Sequence, residues 1–272
     1  MIEKIPFKEY QAKEGLNISL LKKINKSPAH LHFMEENPQE DTASLLLGRA
    51  IHAMTLEPND FNNDFCVIPN IDKRTKEGKQ AYLDAITNAQ GRDILTASDY
   101  EKVQEIANQA RSYTPLLELL SYEKMIEVSM FWESENVKCK GRMDMFCPSL
   151  KTIVDLKTTA DASQDEFARS IFKYGYHNQA AWYLQGCKAN NLIADHFVII
   201  AIEKEPPYCC AAYRLTDDVI ELARQQNEKW LRTYKECSCS NDWFGYPTDI
   251  QDIAIPAWAI AKTDKFLLED LQ

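Results

Sequence analysis

Gly141-Arg142-Met143-Asp144, followed after a short gap by Ile153-Val154-Asp155-Leu156-Lys157-Thr158-Thr159, decides how this chain reads. Both segments are rich in β-branched and apolar residues. Cys147-Pro148-Ser149 separates them, so they read as two strands joined by a turn. Side chains alternate faces along a strand, which puts Asp155 and Lys157 on one side. Antiparallel pairing of the two strands brings Asp144 beside Asp155. Two carboxylates and an ammonium then share a small space, a set suited to holding a hard divalent cation and placing water near a phosphate. Taken alone, Asp155-x-Lys157 also fits a solvated strand end. The apolar Val154 and Leu156 argue instead for a central strand, where such charges are rarely buried without partners.

Working outward, strands are expected at 125–133, 138–147 and 151–158. Helical patterns precede them at 8–26, 40–57, 78–90 and 97–120, with an irregular basic stretch at 66–80. In the first helix, Asn17 is a candidate cap and Ser27-Pro28 a break. Helices at 163–174 and 176–190 follow the third strand, then strands at 196–204 and 208–215, then a helix at 217–236. The last two strands read as a hairpin across Glu205-Pro206-Pro207. The order implies an α/β fold with a mixed sheet. We expect one domain over 1–272: a mainly helical elaboration at 1–120, an α/β core at 121–240 and a tail at 241–272. Trp243, Phe244, Tyr246 and Trp258 make that tail too aromatic to hang free. It is expected to pack on the core or on another subunit.

Composition narrows the class. A chain of 272 residues can bury a large core, and 45% hydrophobic with 26% charged residues is ordinary for a soluble protein. No apolar run approaches the ~18 residues that cross a bilayer. Met1-Ile2-Glu3-Lys4-Ile5-Pro6 lacks the apolar centre of a secretory signal. Eight cysteines without such a signal point to free thiols in a reducing, cytoplasmic setting. Cys209-Cys210 and Cys237-x-Cys239 fit zinc spacing poorly, and small buried side chains are the plainer reading. An iron–sulfur site built from distant cysteines stays open. The net charge of −10 argues against a protein that binds nucleic acid with its whole surface. It is compatible with a basic groove on an acidic body.

Three more features flank the strand pair. Gly48-Arg49-Ala50-Ile51-His52 places Gly48 and His52 four apart on one helix face, and imidazole is a common metal ligand. His52 also reads as an ordinary helix histidine. Gln179 and Tyr183 share a face of the later helix, either as a polar pair aimed at the site or as a surface amide beside a half-buried tyrosine. Glu127 starts the first strand and reads equally as a surface ion-pair partner.

Taken together, Gly48-x-x-x-His52, Gly141-x-x-Asp144, Asp155-x-Lys157 and Gln179-x-x-x-Tyr183 resemble the motifs of the PD-(D/E)XK nuclease superfamily, in particular its RecB-like exonuclease branch. Within that branch the chain is similar to the nuclease domains of RecE-type enzymes (exonuclease VIII) over most of its length. The resemblance implies a PD-(D/E)XK core, a mixed central sheet flanked by helices. It implies an exodeoxyribonuclease that digests linear double-stranded DNA from the 5′ end and leaves 3′ single-stranded overhangs for recombination. By the same likeness, His52, Asp144, Asp155 and the carbonyl of Leu156 would ligate Mg²⁺ or Mn²⁺. Lys157 would orient or help deprotonate the attacking water, Glu127 would hold a second metal, and Gln179 and Tyr183 would position strand or ligands. A ring-shaped homotetramer closing on DNA ends, a RecT-type single-strand annealing partner and no membrane complete what it implies. On charge alone, Lys73, Arg74, Lys76, Lys79, Arg142 and Lys173 are candidate DNA-phosphate contacts. Two alternatives remain: another RecB-like nuclease, iron–sulfur or endonucleolytic, and an inactive scaffold that only binds DNA. The chain lacks the Gly-x-x-x-x-Gly-Lys-Ser/Thr loop of a motor.

Overall fold

The computed structural model describes residues 1–38, 41–72, 74–257 and 259–261. Lys73, expected to touch phosphate, and Trp258, expected to pack with the tail, lie outside the described residues.

The chain opens with β1 (Ile2–Glu3) and α1 (Phe7–Ala12), then α2 (Ile18–Leu21) and a 3₁₀ turn over Lys22–Asn25. The single helix expected at 8–26 is therefore broken. Gly15 sits at φ +138°, a conformation closed to other residues. Beside it Leu16 exchanges backbone hydrogen bonds with Lys138 and Lys140 (2.8 and 2.9 Å), so the segment is tied to a strand. Asn17 does cap α2, accepting the Leu20 N–H. Ser27-Pro28 starts a helix rather than only ending one: Ser27 caps α3 (Pro28–Glu36), and proline at the first helical position sacrifices no hydrogen bond.

Next come α4 (Ala43–Leu56), α5 (Phe61–Asp64), β2 (Phe65–Ile68), α6 (Lys76–Ala89), β3 (Asp93–Thr96), α7 (Ala97–Ser112) and α8 (Thr114–Ser121). Thr42, Thr75 and Thr96 cap α4, α6 and α7 through their hydroxyls. β2 and β3 form a small parallel sheet absent from the sequence reading, because four-residue strands carry too little alternation to register. Pro115 in the first turn of α8 divides the helix expected at 97–120.

The main sheet holds β1, β4 (Met125–Ser134), β5 (Val137–Cys147), β6 (Thr152–Thr159), β7 (His196–Glu203) and β8 (Cys210–Arg214), in that spatial order. All neighbours are antiparallel except β6 and β7. A parallel pair needs a long crossover, supplied here by α9 (Gln164–Tyr174) and α10 (Tyr176–Ala189). α11 (Asp217–Ser240) follows β8. This mixed sheet flanked by helices is the PD-(D/E)XK core.

Two apolar layers bury it. On one side Met130, Met143, Ile153 and Ile199 pack with Trp182 and Cys187 of α10 and Leu231 of α11. On the other, Met145, Val154, Leu156 and Ile200 pack with Ala50 and Ile51 of α4 and Val103 and Ile106 of α7. The start of the tail lies on α3: Trp243 stacks on His32 at 4.4 Å, and the Ala29 N–H donates to the Phe244 carbonyl. All eight cysteines are free thiols. Among the described residues no helix is long and apolar enough to cross a membrane.

Candidate active site

The site begins at an irregularity in two strands. β4 and β5 pair at Ile126↔Met145 and Val128↔Met143, but Glu127 and Asp144, between those pairs, leave the ladder. Residues two apart on a strand normally share a face. Here Ile126 and Met145 belong to one apolar layer while Val128 and Met143 belong to the other. Each strand swaps faces at its acidic residue. Glu127 makes the swap with φ +54°, a left-handed conformation that costs a non-glycine residue about 1–2 kcal/mol. Such strain persists where the surroundings over-determine it. Here the Glu127 carboxylate is held by Arg142 Nε at 2.7 Å.

The β5–β6 ladder ends at the same level. It runs from Cys147↔Thr152 to Met145↔Val154 and stops. One step further, the register sets Asp144 opposite Asp155, but the strands have parted. The Leu156 N–H, without a strand partner there, donates to Asp144 Oδ2 at 2.8 Å. A cleft of about 740 Å³ lies against this point, walled by α1, α4 and the β4–β5 pair and lined by His52, Glu127, Gly141, Arg142, Asp144 and Tyr183 among others.

Ligand atoms of His52, Glu127 and Asp144 all lie within 4.8 Å of one another. His52 reaches this point from the middle of α4, its Nδ1 3.3 Å from Asp144 Oδ2. Asp155 stands beside the trio, 1% exposed. Its Oδ1 accepts from Gln179 Nε2 at 3.1 Å, and Gln179 also donates to the Tyr183 hydroxyl at 3.0 Å. Its Oδ2 is paired with the Lys157 ammonium. Lys157 in turn lies over the Tyr176 ring, 5.0 Å from its centre.

The charges are unevenly satisfied. Burial pushes the Asp155 carboxyl up to about 6 despite the opposing Lys157 charge. Burial and the neighbouring Asp144 raise Glu127, outweighing Arg142. Burial alone would raise Asp144, but His52 and Lys157 hold it below the usual carboxylate range. Burial opposes the charged form of both His52 and Lys157; the acidic neighbours prevail and raise each above its ordinary value. The buried Asp155 and the half-buried Glu127 are thus left short of positive charge, while Asp144 is well supplied. A nitrogen–oxygen donor set with a carboxylate excess fits a divalent cation, which relieves the repulsion.

The geometry brings some of the expected ligands closer together than others. The trio is His52, Asp144 and Glu127, whereas Asp155 turns to Lys157 and Gln179. Leu156 meets Asp144 through its N–H. Among the expected phosphate contacts, Arg142 is tied up: besides Glu127 it donates to the Ile5 carbonyl at 2.6 Å and to Ser129 Oγ at 3.3 Å. Arg74 is exposed and paired with Asp72. Lys76 and Lys79 start α6, whose other end meets the cleft at Gln90 and Gly91. At about 1.5 Å per residue, that helix sets the basic stretch some 15–20 Å away. Lys173 is exposed near the end of α9, its Nζ 5.3 Å from the Tyr174 ring centre.

The cations that line the cleft are Lys8, Arg49, Arg92, Lys140 and Arg142. Arg49 was readable in principle, since it lies three residues before His52 on the same helix, but nothing in the sequence shows that it binds Asp41 and Asp93. Lys140 gave no signal. Its buried ammonium is held by the carbonyls of Tyr10, Gln11 and Lys13 at the end of α1.

Gly141 has a steric reason to be glycine. A Cβ there would stand 3.1 Å from Cδ1 and Cε1 of Tyr183. Gly141→Ala is expected to push that ring, and with it Gln179, off Asp155. Overpacking of this kind costs about 1–3 kcal/mol. Urea denaturation and single-turnover cleavage check both consequences; unchanged values in each would show that the ring yields freely.

No curated protein matches this sequence. Among solved structures, the fold is similar to that of a candidate exonuclease from Eubacterium rectale, with TM-score 0.60 and 16% identity over 95% of this chain and 98% of that one. A phage-related exonuclease from Haemophilus somnus 129PT overlaps 86% of this chain and 100% of its own, with TM-score 0.39 and 16% identity. The sequence profile of a PDDEXK-like domain of unknown function (DUF3799) matches residues 17–251, a span that includes His52, Glu127, Asp144, Asp155 and Lys157. The chain belongs to this PDDEXK-like family.

Proposed function

We propose that this protein is a metal-dependent exonuclease that digests linear double-stranded DNA in the 5′-to-3′ direction and leaves 3′ single-stranded overhangs. One observation carries the reading: the His52–Glu127–Asp144 trio sits beside the buried Asp155–Lys157 pair where β5 and β6 part. His52, Glu127 and Asp144 would hold Mg²⁺ or Mn²⁺, with Asp155 adjacent. Such an ion supplies charge stabilisation for a phosphoryl oxygen and a lowered pKa for water. Lys157 places an ammonium next to that position and stabilises negative charge as it develops. Asp155 and the Tyr176 ring fix the Lys157 head, and Gln179 fixes Asp155. The 5′ polarity, the role in recombination, the homotetramer and the RecT-type partner rest on the motif resemblance to RecE-type enzymes.

The test uses linear duplex labelled at either the 5′ or the 3′ end, with and without Mg²⁺ or Mn²⁺, beside a covalently closed circle of the same sequence. Metal-dependent release of short products from the 5′ label, with the circle intact, is expected. Cut circles would replace this reading with an endonuclease. DNA binding without cleavage under either metal would replace it with a binding scaffold. Metal occupancy is read separately, as a rise in Tm on adding Mn²⁺; the stabilisation behind it at 100 times Kd is about 2.7 kcal/mol. Glu127→Gln is expected to lose most of that rise.

A further inference from the structure

Beside Lys157 lies a surface the roles above do not use. α9 and α10 meet at Gly175, whose φ of +68° turns the chain sharply. Around that corner stand Phe172, Tyr174, Tyr176 and His177. Tyr176 carries the Lys157 ammonium on its ring. Tyr174 stacks on Tyr176, with ring centres 5.7 Å apart and 29° between planes. Phe172 stacks on His177 at 6.0 Å and 13°. Tyr176 and His177 anchor the corner in the core, whereas Phe172 is 82% exposed and Tyr174 47%.

Two lysines flank the rings. Lys173 lies over Tyr174, and Lys22 donates to the Tyr174 carbonyl at 2.9 Å. Among the described residues neither has a carboxylate ion-pair partner, on a chain whose net charge is −10. Burial and the nearby Lys157 and Lys23 charges pull Lys22 down to about 8. Exposed aromatic faces interleaved with lysines match the two halves of a single strand, flat bases and anionic phosphates. The surface is continuous with the candidate active site through Tyr176 and Lys157.

We propose that Phe172 and Tyr174, with Lys22 and Lys173, form a stacking platform for unpaired bases of the strand whose phosphate lies at Lys157, with Tyr176 as the ring that joins the platform to that lysine. This deepens the nuclease reading and rests on it. A frayed duplex end brings unpaired nucleotides to the half-buried Lys157 ammonium, which a paired end reaches less readily. A platform that takes up the freed bases holds that frayed state and sets the substrate as unpaired nucleotides next to the cut.

The test is binding of the full chain, in EDTA so that nothing is cut, to fluorescein-labelled (dT)₁₂ and to an abasic oligonucleotide of the same length. Stacking is worth about 1–3 kcal/mol per base, so the wild type is expected to prefer (dT)₁₂ by tenfold or more. The Phe172→Ala/Tyr174→Ala variant is expected to lose that preference and bind both oligonucleotides alike. Both residues are exposed, and an unchanged Tm shows that the variant is folded. Equal affinity of the wild type for the two oligonucleotides overturns the platform, as does a preference that survives in the variant. The outcome is separable from the nuclease reading. Cleavage of linear duplex with no base preference sinks the platform alone; a base preference with no cleavage under any metal sinks the nuclease.

Discussion

Lys157→Ala lowers the single-turnover rate of cleavage by about 10²–10³-fold, the scale on which one pre-placed charge-stabilising group acts. The reason is positional. The Lys157 ammonium is held by the buried Asp155 carboxylate and the Tyr176 ring, so its geometry is set before any substrate arrives. Alanine removes the charge and leaves the His52–Glu127–Asp144 trio in place, so the Mn²⁺-induced rise in Tm is expected to survive. The fold pays a pH-dependent cost. Asp155, already pushed up to about 6, loses its cation and rises further. A carboxyl whose folded pKa lies above its unfolded one contributes stability that is full below the unfolded pKa and is lost as pH climbs through the folded one. The variant is therefore expected to lose more stability relative to wild type at pH 8 than at pH 5. Cleavage at the wild-type rate would remove Lys157 from the reaction. A deficit independent of pH would show that Asp155 does not titrate as described.

Trp182→Ala is expected to lower stability by about 3–5 kcal/mol, as large aromatic truncations in cores do. Trp182 is fully buried on α10 and packs on Trp132, with ring centres 5.1 Å apart. Its indole N–H donates to the Lys140 carbonyl at 3.0 Å, one residue before Gly141. Truncation opens a cavity and also strands that carbonyl, which costs about 1–3 kcal/mol on its own. Urea denaturation measures the total. Trp182→Phe isolates the second part, since it keeps most of the volume and drops the hydrogen bond. A loss below about 1.5 kcal/mol for alanine would mean that the layer collapses around the hole.

Much of this molecule is legible in its sequence, for local reasons. The strands expected at 125–133, 138–147 and 151–158 match β4, β5 and β6 within two residues, because apolar and β-branched runs are bounded there by turn residues. Asp155 and Lys157 share a side because a strand has period two. What the sequence hides depends on departures from those rules. The place of Glu127 in the trio follows from its positive φ, which no local pattern announces in a glutamate. The breaks at Gly15 and Tyr113 are hidden by apolar positions that continue at helical spacing. Lys140 looks like a surface residue in an alternating strand and is instead 6% exposed, held by α1.

The crease at Glu127 and Asp144 has a mechanical meaning. A sheet that exchanges its faces halfway is two plates joined along a fold line. The outer plate, Val128–Ser134 with Val137–Met143, and the inner plate, which carries β6 and β7, are bridged by α10, which packs on Met130 and Met143 of the one and on Ile153 and Ile199 of the other. A helix laid across a fold line braces it, because tilting one plate against the other would open the layer beneath Trp182. The acidic residues lie on the fold line itself, where displacement is smallest. The crease is therefore a braced corner, and the chemistry sits on its stiffest line.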